Sequence, residues 1–314
     1  MRGVDSADVT APQPGIFALG TDSHAYLEFD LVSGVEPAAA VVAVASLREP
    51  RTTIGGVNLV AGFRPELWAR AAPEDAPPSV TGFNQPITGP TGYVMPATQH
   101  DVVVWLAGAS YDVVFDLSRS VVVALRGVAD LVHEIVGFQY HHDLDLTGFI
   151  DGLENPTLVE ATSVALIPEG APGAGGSVLL LQQWEHNADE WDSLPVAQQE
   201  LIMGRRKSDG SELDPSPEDS HVGRTDQEDF GKIFRRNVAY GTLARHGTIF
   251  VGFCRDQRIL QAMLESMVGS RANAIDRLTT VTRPITGDYY FVPSADALAA
   301  RGTNERTEPP EEPD

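Results

Sequence analysis

The chain has 314 residues, a formal net charge of −22 and 42% apolar residues. Its length favours two domains, since a domain runs about 100–200 residues, and its composition excludes a disordered or fibrous chain. The acidic charge makes nucleic acid and anionic membranes poor partners, because Arg205-Arg206-Lys207 and Arg235-Arg236 are too short as basic clusters to offset it.

Cys254 is the single cysteine, which leaves no intrachain disulfide, thiolate iron–sulfur ligation or multi-cysteine zinc site. Its place in the apolar run Ile249–Cys254 marks a buried, inert thiol. The first residues carry neither an apolar signal core nor a twin-arginine pair, and no apolar run approaches the ~20 residues of a bilayer span. A cytoplasmic location is the expectation.

Taken in chain order, residues 1–12 read as a mobile tail. Val41–Ser46 has the β-branched content of a strand. Val102–Ala107 reads as a buried strand, followed by a periodic apolar stretch from Tyr111 to Val136 that predicts a helix. Pro168–Gly176 is a Pro/Gly-rich loop, and Val178–Gln182 is a further strand. Ser193-Leu194-Pro195 opens a helix that ends near Gly204, and Ser208–Glu218 is a second long loop. The strand Thr248–Phe253 precedes a helix over 256–268. In that helix Ile259, Leu260, Met263, Leu264 and Met267 share one face, and Gly269 stops it. Tyr289–Val292 is the last strand, and residues 302–314 form an acidic, Pro-rich tail. The strand-then-helix unit therefore occurs twice.

Three short segments carry candidate chemistry. In Thr147–Thr157 two glycines and an Asn-Pro pair surround Asp151, which is either the Asx residue of a turn or a carboxylate held toward a flat ligand. His221, in Asp219-Ser220-His221-Val222-Gly223-Arg224, is either a satisfied histidine or a ligand-binding imidazole. Arg235-Arg236-Asn237 follows the apolar pair Ile233-Phe234, so it is either an exposed basic pair or an arginine drawn inward that needs an anionic partner. His141-His142 stand beside Asp143 and Asp145, without a further cluster to complete a metal site.

Together these segments resemble the dye-decolorizing peroxidases, B subfamily, over most of residues 45–295. Gly148-Phe149-Ile150-Asp151-Gly152 with its flanks is similar to the family's Gly-x-x-Asp-Gly motif. Asp219–Val222 is similar to the proximal-histidine segment, and Arg235-Arg236-Asn237 to the distal Arg-x-Asn. Asp276-Arg277-Leu278, Thr286–Pro293 and Gly62–Trp68 fit the closing and early regions.

The resemblance implies an α+β fold of two tandem ferredoxin-like domains with antiparallel sheets, over residues 13–140 and 141–301, with haem bound mainly by the second. It implies one haem b per chain, with His221 as axial iron ligand and Asp276 hydrogen-bonded to the imidazole, since Thr279-Thr280 replaces a second acidic residue common in the family. Asp151, Arg235 and Asn237 are the implied catalytic residues, and Asp151, Gly152, Arg235 and Phe253 the other haem contacts. Arg236, at a position where the family often has Asp, would add positive charge to the distal rim. The implied reaction reduces hydrogen peroxide through an oxoferryl intermediate and oxidises dyes and phenolic or lignin-like donors. Trp184, Trp191, Tyr289 and Tyr290 are candidates to pass electrons from the surface. The chain is expected to be a homo-oligomer, without an encapsulation peptide at Glu305–Asp314. The alternative is a haem-binding or haem-transfer protein with little peroxidase turnover.

Overall fold

The computed structural model describes residues 10–47, 56–270 and 274–302. The tail expectations for residues 1–9 and 303–314, and the one about a C-terminal peptide, lie outside these residues. Thr10 and Ala11, expected in the tail, are bonded to the body: the Thr10 N–H donates to Glu169 at 2.8 Å and the Ala11 N–H to Asp296 at 2.7 Å.

The first half runs β1 (Ser23–Leu31), α1 (Pro37–Ala45), β2 (Val57–Phe63), α2 (Pro65–Ala71), the small hairpin β3 (Ile87–Thr88) and β4 (Val94–Met95), β5 (Val102–Gly108), α3 (Tyr111–Ala124) and β6 (Ala129–Phe138). The second half runs α4 (Leu158–Ala165), β7 (Ser177–His186), α5 (Ala188–Ser193), α6 (Val196–Met203), α7 (His221–Thr225) and α8 (Gln227–Phe230). It continues through β8 (Phe234–Arg235), β9 (Val238–Gly241), β10 (His246–Cys254), α9 (Gln257–Met267), β11 (Thr282–Pro284), β12 (Asp288–Val292) and α10 (Ala295–Gly302).

Eight of these strands close into a ring, β7-β12-β2-β5-β1-β6-β9-β10, with β10 pairing back onto β7. All neighbours are antiparallel. The halves meet at two narrow seams, Phe291 against Phe63 on one side and Gly137-Phe138 against Tyr240-Ala239 on the other. Closing the ring removes the exposed edges that an open antiparallel sheet would present.

Because side chains alternate across a strand, each strand sends alternate residues to two different cores. Tyr26, Val103, Trp105, Leu179, Leu181, Ile249, Val251 and Phe253 fill the ring's interior. On the outer face of the first half, Leu27, Phe29, Val102 and Val104 pack with Val41, Val44 and Val114 from the covering helices. On the outer face of the second half, Val178, Leu180 and Trp184 pack with Leu260, Met263, Leu264 and Met267 of α9.

Two expected elements change identity. Val41–Ser46 lies mostly in α1, whose buried residues Pro37, Ala40, Val41 and Val44 follow the helical period, with Pro37 in the first turn. The helix expected to reach Val136 ends at Ala124; Gly127 turns the chain at φ 79°, and Ala129–Phe138 continues as strand β6. The two strand–helix units, β5 with α3 and β10 with α9, are present as expected. Asp256 caps α9 by accepting from the Arg258 N–H, and Gly269 ends it with φ 84°. Cys254 is fully buried, and burial pushes its thiol up to about 11.

Candidate active site

A cavity partly open to solvent lies on the outer face of the second half. Leu180, Gln182, Trp184, Thr248 and Phe250 of β7 and β10 form its strand side, and Leu260, Met263, Leu264 and Met267 of α9 its helical side.

His221 enters from the helical side as the first residue of α7. Ser220 caps that turn, accepting from the Gly223 N–H. Asp219 is tied to Arg277 twice, by a 2.7 Å ion pair and by its carbonyl accepting from the Arg277 N–H at 2.9 Å. This stitching sets Asp276 against the imidazole. Asp276 is fully buried, its Oδ2 lies 2.7 Å from His221 Nδ1, and its Oδ1 accepts from the Leu278 N–H at 2.8 Å. Burial pulls the His221 imidazole's pKa down, but the Asp276 charge and hydrogen bond outweigh it, leaving the net direction upward. The 23% exposure of the His221 side chain faces the cavity.

Asp151, Arg235 and Asn237 enter from the strand side. The Asp151 Oδ1 lies 3.5 Å from Asn237 Nδ2 and 3.9 Å from Arg235 Nη2. The loop is fixed through the Asp151 N–H, which donates to the Asp143 carbonyl at 2.7 Å. Asn237 is held in turn, its Oδ1 accepting from the Val251 N–H at 3.0 Å. Asn155, from the same motif as Asp151, clamps Arg235's backbone: its Oδ1 accepts from the Arg235 N–H at 2.8 Å and its Nδ2 donates to the Arg235 carbonyl at 2.9 Å.

Two polar atoms in this wall are buried and have no partner, Gln182 Nε2 and Arg235 Nε. A buried donor without an acceptor is costly, and a ligand with acceptor groups would relieve it. Arg205 also lines the cavity, ion-paired with Glu154 and, at 2.9 Å, with Glu212.

Three expected contacts fall elsewhere. Phe253 points into the ring and stacks 6.0 Å from Trp105, because it shares strand parity with Ile249 and Val251; Phe250, of opposite parity, lines the cavity. Gly152 lies on an adjoining cavity, where its φ of 81° makes the motif's turn. Arg236 leaves the distal rim and turns inward over the Trp105 ring at 5.1 Å, donating to the Ile16 carbonyl at 2.8 Å and the Ala18 carbonyl at 2.5 Å. Burial lowers its pKa to about 10. The proposed electron-transfer aromatics are not surface residues: Trp184, Trp191, Tyr289 and Tyr290 are all buried.

Sequence reasoning passed over Asn155, Gln182 and Arg205. Gln182 had a legible signal, since it stands two residues from Leu180 on the strand expected over Val178–Gln182. Arg205 was hidden inside a charge run, and only the fold brings it to the cavity.

The family model for the C-terminal part of Dyp-type peroxidases matches residues 142–297. A dye-decolorizing peroxidase of Rhodococcus erythropolis is 31% identical over 302 residues, which is 91% of this chain and 88% of that one. The chain belongs to the dye-decolorizing peroxidase family. Solved members superimpose closely. A DypB variant of Rhodococcus jostii RHA1 in complex with heme gives a TM-score of 0.81 at 31% identity, covering 94% of this chain and 98% of that one. A dye-decolorizing peroxidase of Bacteroides thetaiotaomicron gives 0.83 at 28%, covering 93% and 99%. Family membership makes this chain a peroxidase, and the main cavity falls within the matched segment.

Proposed function

We propose that the cavity holds haem b and that the chain reduces hydrogen peroxide while oxidising dyes and phenolic or lignin-like aromatic donors. The observation that carries this is the meeting of Asp151, Arg235 and Asn237 in the same cavity as the His221–Asp276 pair.

The residues present fit haem. Apolar side chains supply flat contact area, Arg205 and Arg235 match its carboxylates, and the unpartnered donors of Gln182 and Arg235 face an unfilled need. His221 Nδ1 is engaged by Asp276, which leaves Nε2 for the iron. The carboxylate fixes the tautomer and makes the imidazole more electron-rich. Haem, when bound, supplies the redox chemistry at its iron.

The chain's own contribution to peroxide cleavage lies on the strand side. Asp151 takes a proton from one peroxide oxygen and returns it to the departing one. Arg235 stabilises the negative charge that develops as the O–O bond breaks, and Asn237 orients the peroxide. A haem-transfer protein needs none of the three, so their convergence favours turnover over carriage.

We further assign the strand orders β2-β5-β1-β6 and β12-β7-β10-β9 to two ferredoxin-like halves, with haem held by the second. Cytoplasmic location and homo-oligomerisation belong to the same reading. Among the described residues, no helix is long and apolar enough to cross a membrane.

The test is an absorption spectrum of the haem-reconstituted protein before and after one equivalent of hydrogen peroxide. Arg235→Leu is expected to keep the ferric spectrum and slow its peroxide-dependent change about 10²–10³-fold. An unaltered rate in that variant removes Arg235 from the chemistry.

A further inference from the structure

Beside the main cavity lies a second, more polar one. Asp145, Asp151, Arg235, Asn237 and Thr248 line both, so these residues form the wall between them. The outer cavity is also lined by Gln139 and Asp143, which are exposed to solvent.

Two carboxylates therefore stand in the dividing wall, and the mechanism above uses one. The other, Asp145, sits in a tight turn. Its Oδ1 accepts from the Thr147 N–H at 2.8 Å and from the Thr147 hydroxyl. Among the described residues no cation forms an ion pair with it. Burial is the largest influence on its carboxyl; the Thr147 bonds oppose it, the Asp151 charge adds to it, and the result is a pKa of about 6. A turn of this kind is served equally well by Asn, so the turn alone gives no reason to place an unpaired carboxylate in this half-buried wall.

The overall reaction supplies one. Hydrogen peroxide takes up two electrons and two protons and leaves as two water molecules. The electrons come from the aromatic donor. The two protons must reach the main cavity, where Leu, Met and Phe side chains alternate with polar ones and cannot themselves carry a proton.

We propose that Asp145 passes protons from the outer cavity to Asp151 during the donor-dependent half of the cycle. Asp145 thus acts through Asp151 and does not itself touch peroxide. This inference rests on the peroxidase reading above. The titratable and charged groups sharing a cavity with Asp145 are Tyr140, Asp143, Asp151, Arg235, Arg236 and, across the main cavity, Glu154, His186, Arg205 and His221. Asp145 exchanges its proton with solvent on one side and with Asp151 on the other.

The experiment uses the haem-loaded full chain in a stopped-flow instrument, first with hydrogen peroxide and then with ferrocyanide as electron donor. The wild type is expected to show an inflection near pH 6 in the donor-dependent return to the ferric spectrum. Asp145→Asn is expected still to react with peroxide, to return at least about tenfold more slowly, and to lose that inflection. Asp145→Glu should restore both. Thr147→Val removes a hydrogen bond that favours the ionised form, so its inflection should move to higher pH. Independently of turnover, infrared difference spectra of the ferric protein should show a carboxylic acid band that titrates near pH 6 and disappears in Asp145→Asn. An Asp145→Asn variant that keeps the inflection and returns within twofold of the wild type overturns the inference alone, as does an unmoved inflection in Thr147→Val. A wild type whose spectrum peroxide leaves unchanged overturns the peroxidase reading and this inference with it.

Discussion

Replacing Asn155 by Ala tests whether the motif's Asn-Pro end builds the site or merely turns the chain. Strand β8 is at the end of the sheet order, so the outward N–H and C=O of Arg235 have no neighbouring strand. Asn155 serves both, at 2.8 and 2.9 Å. Each bond contributes about 1 kcal/mol net of its exchange with water, so the expected cost of losing both is about 2 kcal/mol. That corresponds to roughly a 30-fold change in the unfolding equilibrium. Urea unfolding of the haem-free protein, followed by tryptophan fluorescence, should show a lowered midpoint at unchanged slope. The same substitution releases the backbone that aims the Arg235 guanidinium. In the haem-loaded variant the peroxide-dependent spectral change should therefore slow by about 10–100-fold. A stability loss below about 0.5 kcal/mol together with a wild-type peroxide rate would refute the clamp, since neither the lost bonds nor the misplaced guanidinium would then have registered.

His24 makes stability fall in acid. Its Nε2–H donates to the Thr21 carbonyl at 3.0 Å, and its Nδ1 accepts from Trp105 Nε1 at 3.2 Å, so the ring is bonded as neutral. Burial, with Arg236 assisting, lowers its pKa from 6.5 to about 4. Below pH 6.5 the unfolded chain binds a proton that the folded one refuses, so stability declines down to pH 4, by about 3 kcal/mol from this group. A His24→Gln variant should show a flatter profile over that range in urea melts, and an identical slope would count against the assignment. Strand parity makes a separate prediction. Phe253→Ala should cost about 3–5 kcal/mol without moving the haem absorption maximum, while Phe250→Ala should move that maximum at a smaller cost in stability. The reverse pattern would mean that the two faces of β10 have been exchanged.

Much of the site was legible because its chemistry depends on rare combinations at fixed spacing. Gly148–Pro156, Asp219–Val222, Arg235–Asn237 and Asp276 were recognisable as short local patterns, and the fold brings His221 to Asp276 and Asp151 to Arg235 and Asn237. The strand–helix units β5–α3 and β10–α9 were equally visible, since β-branched runs and a 3.6-residue period are local signals.

The failures share a different cause. Val41–Ala45 is apolar in nearly every position, and only the spacing of Pro37, Ala40, Val41 and Val44 against a packed neighbour distinguishes helix from strand there. The stretch from Ala129 to Phe138 becomes a strand because β1 and β9 pair with it on either side.

By itself, then, the sequence determined the family, the two strand–helix units and, among the residues that meet at the cavity, Asp151, His221, Arg235 and Asn237, because each is carried by a contiguous motif. Which face each strand residue occupies was decided by tertiary structure. Closing eight strands into one ring fixes a parity that sends Phe253 and Arg236 inward and Phe250, Gln182 and Arg235 to the cavity. Closure buries Tyr290, while Trp184 and Tyr289 are covered on the outer face by the α9 layer and Trp191 packs against Phe149 and Met203. Register along a strand has a period of two, so a shift of one residue reverses every side chain, and only the pairing of distant strands removes that ambiguity.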